Sequence, residues 1–238
     1  MNDRLPLVIA NLKANKTWDE MSLWLEEITK GTGSFPGTII VCPTATFIAS
    51  ANQKLASLSS SLKLGAQDIS RFEQGAYTGE VAASQIAGLV SYAIIGHSER
   101  RQNFAETDDI LVQKVLNAQK AGITPIFCVQ GPDTPIPQGI EIVAYEPVFA
   151  IGTGNPDTPE NAKAVSETLK ARLAALASIP SRSGRAKLAK GDYVVVYGGS
   201  VTPENTKSFL EKGMINGALV GTNSLDPQNF IQILNSAA

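Results

Sequence analysis

Short runs of apolar and β-branched residues recur along the chain, and helical patterns fill most of the gaps between them. Runs without alternating polar residues are typical of parallel strands that are buried on both faces. The eight runs begin near residues 5, 37, 62, 92, 123, 140, 192 and 217, and helices are predicted at 18–30, 46–58, 82–90, 108–120, 159–176, 203–211 and 227–235. This α/β pattern predicts a (β/α)8 barrel of eight parallel strands, in one domain spanning residues 1–238. A doubly wound open sheet is the alternative, although no strand is followed by a complete dinucleotide-binding glycine signature.

One connection departs from this pattern. Residues 130–139, between the fifth and sixth runs, contain three prolines and two glycines. These are the poorest helix formers, so the helix after strand 5 is predicted to be missing and an extended linker to replace it. The barrel would then have seven outer helices, and Ile136 would be the only large apolar residue that the linker offers as cover.

Composition excludes several classes of function. The net charge is −2, so no overall positive field favours nucleic acid or an anionic membrane. No apolar run reaches the ~20 residues of a membrane span, and residues 1–6 lack the apolar core of a signal peptide. Cys42 and Cys128 lie in strand-like runs without a histidine or further cysteine nearby in sequence. We therefore expect a cytoplasmic protein with reduced, buried thiols, no metal and no cofactor.

Polar residues and glycines collect where the predicted strands end. The active site of such a barrel lies at the C-terminal ends of its strands. Asn11 and Lys13 end the first strand, His97 the fourth, Glu146 the sixth, Gly198-Gly199-Ser200 the seventh and Gly221-Thr222 the eighth. Glycine-containing loops after strands 7 and 8 commonly bind phosphate through backbone N–H groups, although glycine also marks any tight turn.

Two of these residues have ordinary alternatives. For His97, the only histidine, the alternative is a purely structural role, which is the commoner one for a histidine at a strand end. It emerges at the expected reactive face, however, and a helical turn starting at 98 would keep its imidazole neutral. Lys13 would usually be a solvated surface residue. Because side chains alternate along a strand, Lys13 and Asn11 should both face the barrel mouth, where a bound anion would pair with the lysine.

Glu146 stands at the last position of the sixth strand, and Pro147 ends that strand because it lacks a backbone donor. A glycine-containing loop up to residue 154 follows, and Thr158 and Pro159 then open a long helix. This pattern indicates a carboxylate beside a mobile loop. The alternative is an ordinary connection with a solvated glutamate.

Five segments in order resemble the triosephosphate isomerase family. They are residues 75–80, 96–101, 144–154, 197–201 and 218–221, and the resemblance runs from Asn11 to about Leu225 with one gap. The most specific are 144–154, which resembles the family's glutamate-bearing strand and mobile lid, and 96–101.

The resemblance implies a role for each site residue. Glu146 would remove a carbon-bound proton from dihydroxyacetone phosphate or glyceraldehyde 3-phosphate, and His97 would polarise the carbonyl as a neutral electrophile. Lys13 and Asn11 would stabilise the enediolate. Glu99 would orient Lys13 and His97; the alternative is a plain surface carboxylate. Gly152, Ser200, Gly221 and Thr222 would hold the phosphate, and Arg100 and Glu106 would form a supporting ion pair.

The resemblance also implies a homodimer. In the family, the loop equivalent to the stretch from Gln67 to Gly79 enters a pocket of the neighbouring subunit, with Thr78 near the partner's site. A flexible loop on a monomer is the alternative.

The chain departs from the family pattern at several places without losing a catalytic group. Leu12 and Ala14 flank Lys13 instead of Trp and Met, Phe149 replaces Trp in the lid, residues 155–157 (Asn-Pro-Asp) replace Lys-x-Ala, Gln130-Gly131 replaces Gly-Glu, and Thr222 replaces Gly. The changes at the hinge and at Thr222 bear on lid motion and phosphate affinity.

Three functions remain open from sequence. They are a triose-phosphate isomerase of glycolysis and gluconeogenesis, another phosphosugar isomerase or epimerase, and a catalytically silent barrel that acts as a scaffold. The complete set of Asn11, Lys13, His97 and Glu146 argues against the third.

Overall fold

The computed structural model describes residues 5–178, 193–211 and 213–238. Eight parallel strands pair in chain order and close into a barrel. Closure is made between the first and last strands, where Leu7 lies opposite Gly217 and Val8 opposite Ala218. The predicted closed (β/α)8 architecture is confirmed, and the open sheet is excluded.

The predicted strand starts are correct to within two residues. The strands are β1 (Leu7–Asn11), β2 (Thr38–Cys42), β3 (Lys63–Ala66), β4 (Tyr92–Ile95), β5 (Thr124–Val129), β6 (Ile142–Tyr145), β7 (Val194–Tyr197) and β8 (Gly217–Val220). The helices are α1 (Trp18–Gly31), α2 (Ile48–Ser57), α3 (Ala83–Ile86), α4 (Ser98–Asn103), α5 (Asp108–Lys120), α6 (Pro159–Ser178), α7 (Pro203–Leu210) and α8 (Pro227–Ala237). Short 3-10 turns occupy Ala45–Phe47, Val148–Ala150 and Thr222–Ser224. In the described part of the chain, no helix has the length and apolar character needed to cross a bilayer.

The third helix is much shorter than predicted. A helix over 82–90 was expected, but α3 has four residues. The backbone becomes extended at Ala87 (ψ 133°) and Gly88 has a φ of +81°, so these two residues form a turn closed by the Leu89 N–H and the Ile86 carbonyl. Ala87 also forms a β-bridge with Val90. Apolar periodicity alone did not reveal this early stop.

Two apolar layers hold the barrel together. Alternate strand residues fill its interior, including Ile9, Ile40, Ile94 and Ile142. The residues between them point outward and pack under the helices, so each strand is buried on both faces. Cys42 and Cys128 are free and lie in the interior layer, as expected for structural thiols. Burial raises the pKa of the Cys42 thiol.

The helix predicted to be missing is absent. Residues 130–141, all of them described, contain turns and irregular backbone between β5 and β6. The linker is tied to both neighbouring helices, because Gln119 of α5 donates to the Gly139 carbonyl (3.0 Å) and Arg172 of α6 donates to the Pro132 carbonyl. Ile136 is 8% exposed and belongs to the outer apolar layer. The linker therefore covers the outer face of β5 and β6, the wall of the barrel at this point, with one large apolar side chain, whereas a helix would use several.

Replacing Ile136 with alanine should lower the free energy of unfolding by about 2–5 kcal/mol, because a buried branched side chain leaves a cavity when truncated. Denaturant unfolding followed by circular dichroism measures this change. Leu116→Ala is the matched control, since Leu116 lies on α5 and is 51% exposed. The control should change stability by about 0.5 kcal/mol or less. Equal effects of the two substitutions would show that Ile136 is not the cover of this wall.

Candidate active site

Eight of the nine predicted site residues meet at one cavity of about 240 Å³ at the C-terminal mouth of the barrel. Its lining includes Asn11, Lys13, His97, Glu146, Gly152, Ser200, Gly221 and Thr222. The ninth, Glu99, does not line the cavity but contacts Lys13. Residues from β1, β4, β6, β7 and β8 are thus brought together although up to 211 positions separate them in sequence (222 − 11).

Glu146 is fully buried at the floor of this cavity. Its Oε2 accepts a hydrogen bond from the Ser98 N–H at the start of α4 (3.1 Å). Its Oε1 lies 3.2 Å from His97 Nε2, and no group among the described residues makes a well-oriented hydrogen bond to it. Burial raises the pKa of Glu146, and the nearby His97 and Lys13 oppose that shift. A buried carboxylate with one free oxygen is suited to accept a proton.

His97 is held in one tautomer. Its Nδ1 accepts a hydrogen bond from the Glu99 N–H (3.2 Å), so His97 serves as the N-cap of α4. An acceptor nitrogen carries no proton, which assigns the proton of the neutral ring to Nε2, the nitrogen nearest Glu146. The expected helical turn at residue 98 is present as α4 and supplies this bond. The ring can therefore donate a hydrogen bond into the cavity.

Lys13 is fixed in position by its backbone and its side chain. Its φ is +52°, an uncommon conformation that surrounding bonds must support. The Asn11 side chain accepts from the Lys13 N–H (3.2 Å), and Gln67 donates to the Lys13 carbonyl (2.8 Å). The ammonium contacts Glu99, which is 42% exposed, so this ion pair is partly solvated. Sequence reasoning missed the role of Gln67, a polar residue directly after β3.

Two glycines make room for the charged side chains. A Cβ on Gly198 would lie 2.9 Å from Cγ of Glu146 and 3.4 Å from the Tyr145 carbonyl. A Cβ on Gly221 would lie 3.3 Å from Cε of Lys13. Any side chain at Gly198 would therefore displace Glu146, which gives this glycine a steric reason beyond turn formation.

A buried ion network supports α4 from behind. The Arg100–Glu106 pair implied by the resemblance is present, with 2.7 Å between Nε and Oε1. Asp68 and Lys114 join it, because Lys114 Nζ lies 2.6 Å from both Asp68 and Glu106. Burial raises the pKa of Asp68 to about 6, and Lys114 opposes that shift. Sequence reasoning missed Asp68 and Lys114, and no local signal pairs residues 46 positions apart.

The described residues offer no cluster of three or more His, Cys, Asp and Glu side chains that could hold a metal ion. The polar groups of the cavity are instead a carboxylate, an imidazole, an ammonium and amide or hydroxyl groups. This set can move protons and stabilise negative charge.

Comparison with known proteins agrees with this geometry. The family model described as "Triosephosphate isomerase" matches residues 6–139 and 136–237, two segments that meet in the linker without a helix. The triosephosphate isomerase of Thermus thermophilus is 34% identical, with 98% of this chain and 99% of the relative aligned. That of Dictyoglomus turgidum is 36% identical, with 98% and 100% aligned. The crystal structure of the Bartonella henselae enzyme superposes with a TM-score of 0.79 at 27% identity, over 97% of this chain and 98% of the other. The chain therefore belongs to the triosephosphate isomerase family and, with it, to the intramolecular aldose–ketose isomerases.

Proposed function

We propose that the chain interconverts dihydroxyacetone phosphate and glyceraldehyde 3-phosphate through an enediolate, with Glu146 as the base. The observation that supports this proposal most strongly is the buried Glu146 carboxylate at the barrel mouth. Its Oε1 has no hydrogen-bond partner among the described residues and lies 3.2 Å from His97 Nε2. The division of labour between a glutamate base and a neutral histidine is the family's established one, and it is carried over here residue by residue.

The geometry supports a path for each proton. Because Ser98 occupies Oε2, Oε1 is the oxygen placed to take the carbon-bound proton. The Nε2–H of His97 donates to the carbonyl oxygen as that oxygen becomes negative. Lys13 and Asn11 line the same cavity and stabilise the enediolate by charge and hydrogen bonding. Glu99 orients Lys13 through their ion pair and His97 through its backbone N–H.

We assign the substrate's phosphate to Gly152, Ser200, Gly221 and Thr222, which line the same cavity. Their backbone N–H groups would bind it, as the resemblance to the family implies. We infer that residues 147–157 act as a lid over this site. Ile151, Gly152 and Gly154 already line the cavity, so closure would exclude water from the enediolate.

A coupled assay with glyceraldehyde 3-phosphate tests the function. Turnover of this substrate, with much weaker turnover of pentose and hexose phosphates, supports the proposal. Preference for a larger phosphosugar would indicate another isomerase or epimerase. Absence of turnover with all of them would indicate a silent scaffold.

The acid limb of kcat/KM should lie above pH 4.5, the usual value of a glutamate, because burial raises the pKa of Glu146 and only its ionised form can act as base. Activity is thus lost as pH falls through that raised pKa. Initial rates across the acid range measure the position of this limb. The phosphate of the substrate ionises at about pH 6, and ³¹P NMR of the substrate identifies that separate contribution. An acid limb at or below 4.5 would contradict the assignment.

We also propose a homodimer formed through the loop from Gln67 to Gly79. Tyr77 is 43% exposed and stacks on Phe72 with 4.0 Å between ring centroids, while Asn117 donates to the Arg71 carbonyl (2.9 Å). A loop already held in shape loses little entropy on docking. It would bring Thr78, also exposed, to the partner's site.

Light scattering after size exclusion tests the dimer. The protein should elute with twice the mass of the chain, and Tyr77→Asp should yield monomers. Leu23→Asp, at an exposed position of α1, is the control that should remain dimeric. A monomeric parent protein would overturn the proposal.

We place the enzyme in the cytoplasm, where glycolysis supplies its substrates. Two free, buried cysteines are consistent with a reducing compartment. Cell fractionation with an antibody to the chain tests this, and recovery outside the cytoplasm would contradict it.

A further inference from the structure

Asp157 is a buried carboxylate at the C-terminal end of the lid, and the mechanism above gives it no role. It is 8% exposed. Its Oδ2 accepts hydrogen bonds from the Tyr145 hydroxyl (3.0 Å) and the Asn161 amide (2.7 Å), and its Oδ1 accepts from the Thr158 N–H (2.8 Å). A buried carboxylate needs such donors, and these three hold it in one place.

The backbone of Asp157 is attached as well. Its N–H donates to the Tyr197 hydroxyl (2.7 Å), and the Tyr197 ring stacks on Phe209 with 4.0 Å between centroids. Tyr145 ends β6 and Tyr197 ends β7, and both rings are buried. The residue is therefore bonded to β6, the strand that Glu146 directly follows, and to its neighbour β7.

The two tyrosine hydroxyls that contact Asp157 do not lose their protons near neutral pH. Burial raises the pKa of Tyr197 to about 12, and burial with the Asp157 charge raises that of Tyr145. Both phenols keep their protons over the working range, so Tyr145 continues to donate to the carboxylate.

The N-terminal end of the lid is different. Val148 and Phe149 are 48% and 61% exposed. Behind them, the buried Ala150 accepts one bond from the barrel, through its carbonyl, from the Ser200 hydroxyl. The tip beyond it is bonded within the lid, because Thr153 donates to the Phe149 carbonyl (3.0 Å) and the Asn155 N–H donates to Thr153 (3.2 Å). The lid is thus attached by several bonds at its C-terminal end, whereas Val148 and Phe149 at its N-terminal end are exposed.

We propose that Asp157 is a positioning residue, which anchors the C-terminal end of the lid to β6 and β7 so that the lid moves about residues 147–149. This inference rests on the proposed isomerase function for its kinetic readout. Pro156 strengthens the anchor, because proline restricts its own φ and the conformation of Asn155. A lid with one hinge has fewer open states and closes over the phosphate in a defined position.

Kinetics with two substrates distinguishes an anchor from a general structural role. Asp157→Ala should lower kcat/KM for glyceraldehyde 3-phosphate by about tenfold to hundredfold, since small misplacements of a closing element are costly. Phosphate-free glyceraldehyde gives the lid no phosphate to enclose, so its kcat/KM should change less than about threefold. Asp157→Asn keeps one acceptor oxygen and should recover part of the loss. Equal losses with both substrates, or no loss with either, would overturn the proposal.

Hydrogen exchange provides a readout that does not depend on activity. In the free enzyme, Asp157→Ala should speed exchange of the backbone amides of Asn155, Thr158 and residue 157 by about tenfold or more, whereas the interior of α6 should be unaffected. Tyr145→Phe should have a smaller effect of the same kind, and the double variant should be less than additive. Unchanged exchange at residues 155, 157 and 158 would overturn the anchor, while an inactive parent enzyme would overturn only the proposed function.

Asp226→Ala is the matched control for both experiments. Asp226 also precedes a helix that begins with proline and accepts two backbone hydrogen bonds there, from Gln228 (2.8 Å) and Asn229 (3.0 Å). Asp226→Ala should reduce stability, as the loss of any helix cap does. It should leave kcat/KM for both substrates and hydrogen exchange in the lid unchanged. A selective loss on the phosphate substrate in this control would show that the effect is not specific to the lid.

Discussion

Glu146→Gln should lower kcat/KM by about 10²–10⁴-fold while the barrel remains folded, because general-base catalysis contributes that much. At about 1.36 kcal/mol per tenfold, this corresponds to a loss of roughly 3–5 kcal/mol of transition-state stabilisation. Glutamine has nearly the same shape and can still accept from the Ser98 N–H, so the site is expected to stay in place. The coupled assay and circular dichroism measure the two properties together.

The same substitution should not destabilise the protein at neutral pH. Because burial raises the pKa of Glu146, the native state binds this proton more tightly than the unfolded chain does. The stability that this group contributes is fully present below pH 4.5 and is lost as pH rises through the raised native pKa. Glutamine does not ionise, so the variant does not lose this stability as pH rises. The difference between the Tm of the variant and that of the parent should therefore increase with pH. Near-normal turnover in a folded variant would contradict the mechanism, and a lowered Tm at pH 7 would contradict the charge argument.

Lys114→Met should destabilise the fold by about 3–5 kcal/mol, the usual cost of removing one partner from a buried ion pair. The Lys114 side chain is 5% exposed and is bonded to Asp68 and Glu106, the latter also buried. Its removal leaves two carboxylates that share Arg100. Denaturant unfolding at fixed pH measures the loss.

Lys120→Met is the control on the same helix, because Lys120 is 69% exposed in its pair with Glu73. Exposed pairs contribute about 0–1 kcal/mol, so this variant should be close to the parent. The cost of Lys114→Met should also shrink as pH falls, since protonation relieves the unpaired carboxylates. Asp68, whose pKa is already about 6, is the carboxylate whose protonation produces this trend. Equal costs for the two lysines would show that the network does not stabilise the native state.

The architecture was largely predictable because it depends on local composition. Strands buried on both faces must be apolar at every position, as in residues 92–95 and 194–197, so their number and starts can be read directly. The missing helix was equally predictable, since three prolines within 130–139 exclude it whatever surrounds the segment. The closure into a barrel then brings the strand ends together, which is why Lys13, His97 and Glu146 could be predicted to lie at one cavity.

Other features depended on contacts between distant segments. The length of α3 was mispredicted, because the turn at Ala87 and Gly88 overrides an apolar pattern that continues past it. The residues near Ile136 in sequence do not predict that its side chain turns inward to cover the wall between β5 and β6. Gln67 and Lys114 looked like ordinary surface residues until the fold placed carbonyl and carboxylate oxygens beside them.

The sequence by itself determined the eight strands, the absent helix and which residue types stand at the barrel mouth, because each follows from burial or backbone chemistry within a few residues. Only the tertiary structure decided how those groups are paired. Ser98 occupies one oxygen of Glu146, Glu99 sets the His97 tautomer, and Asp157 joins two tyrosines. Hydrogen bonds of this kind require a fit of a few tenths of an ångström between groups up to 48 positions apart, and that fit exists only once the barrel has closed.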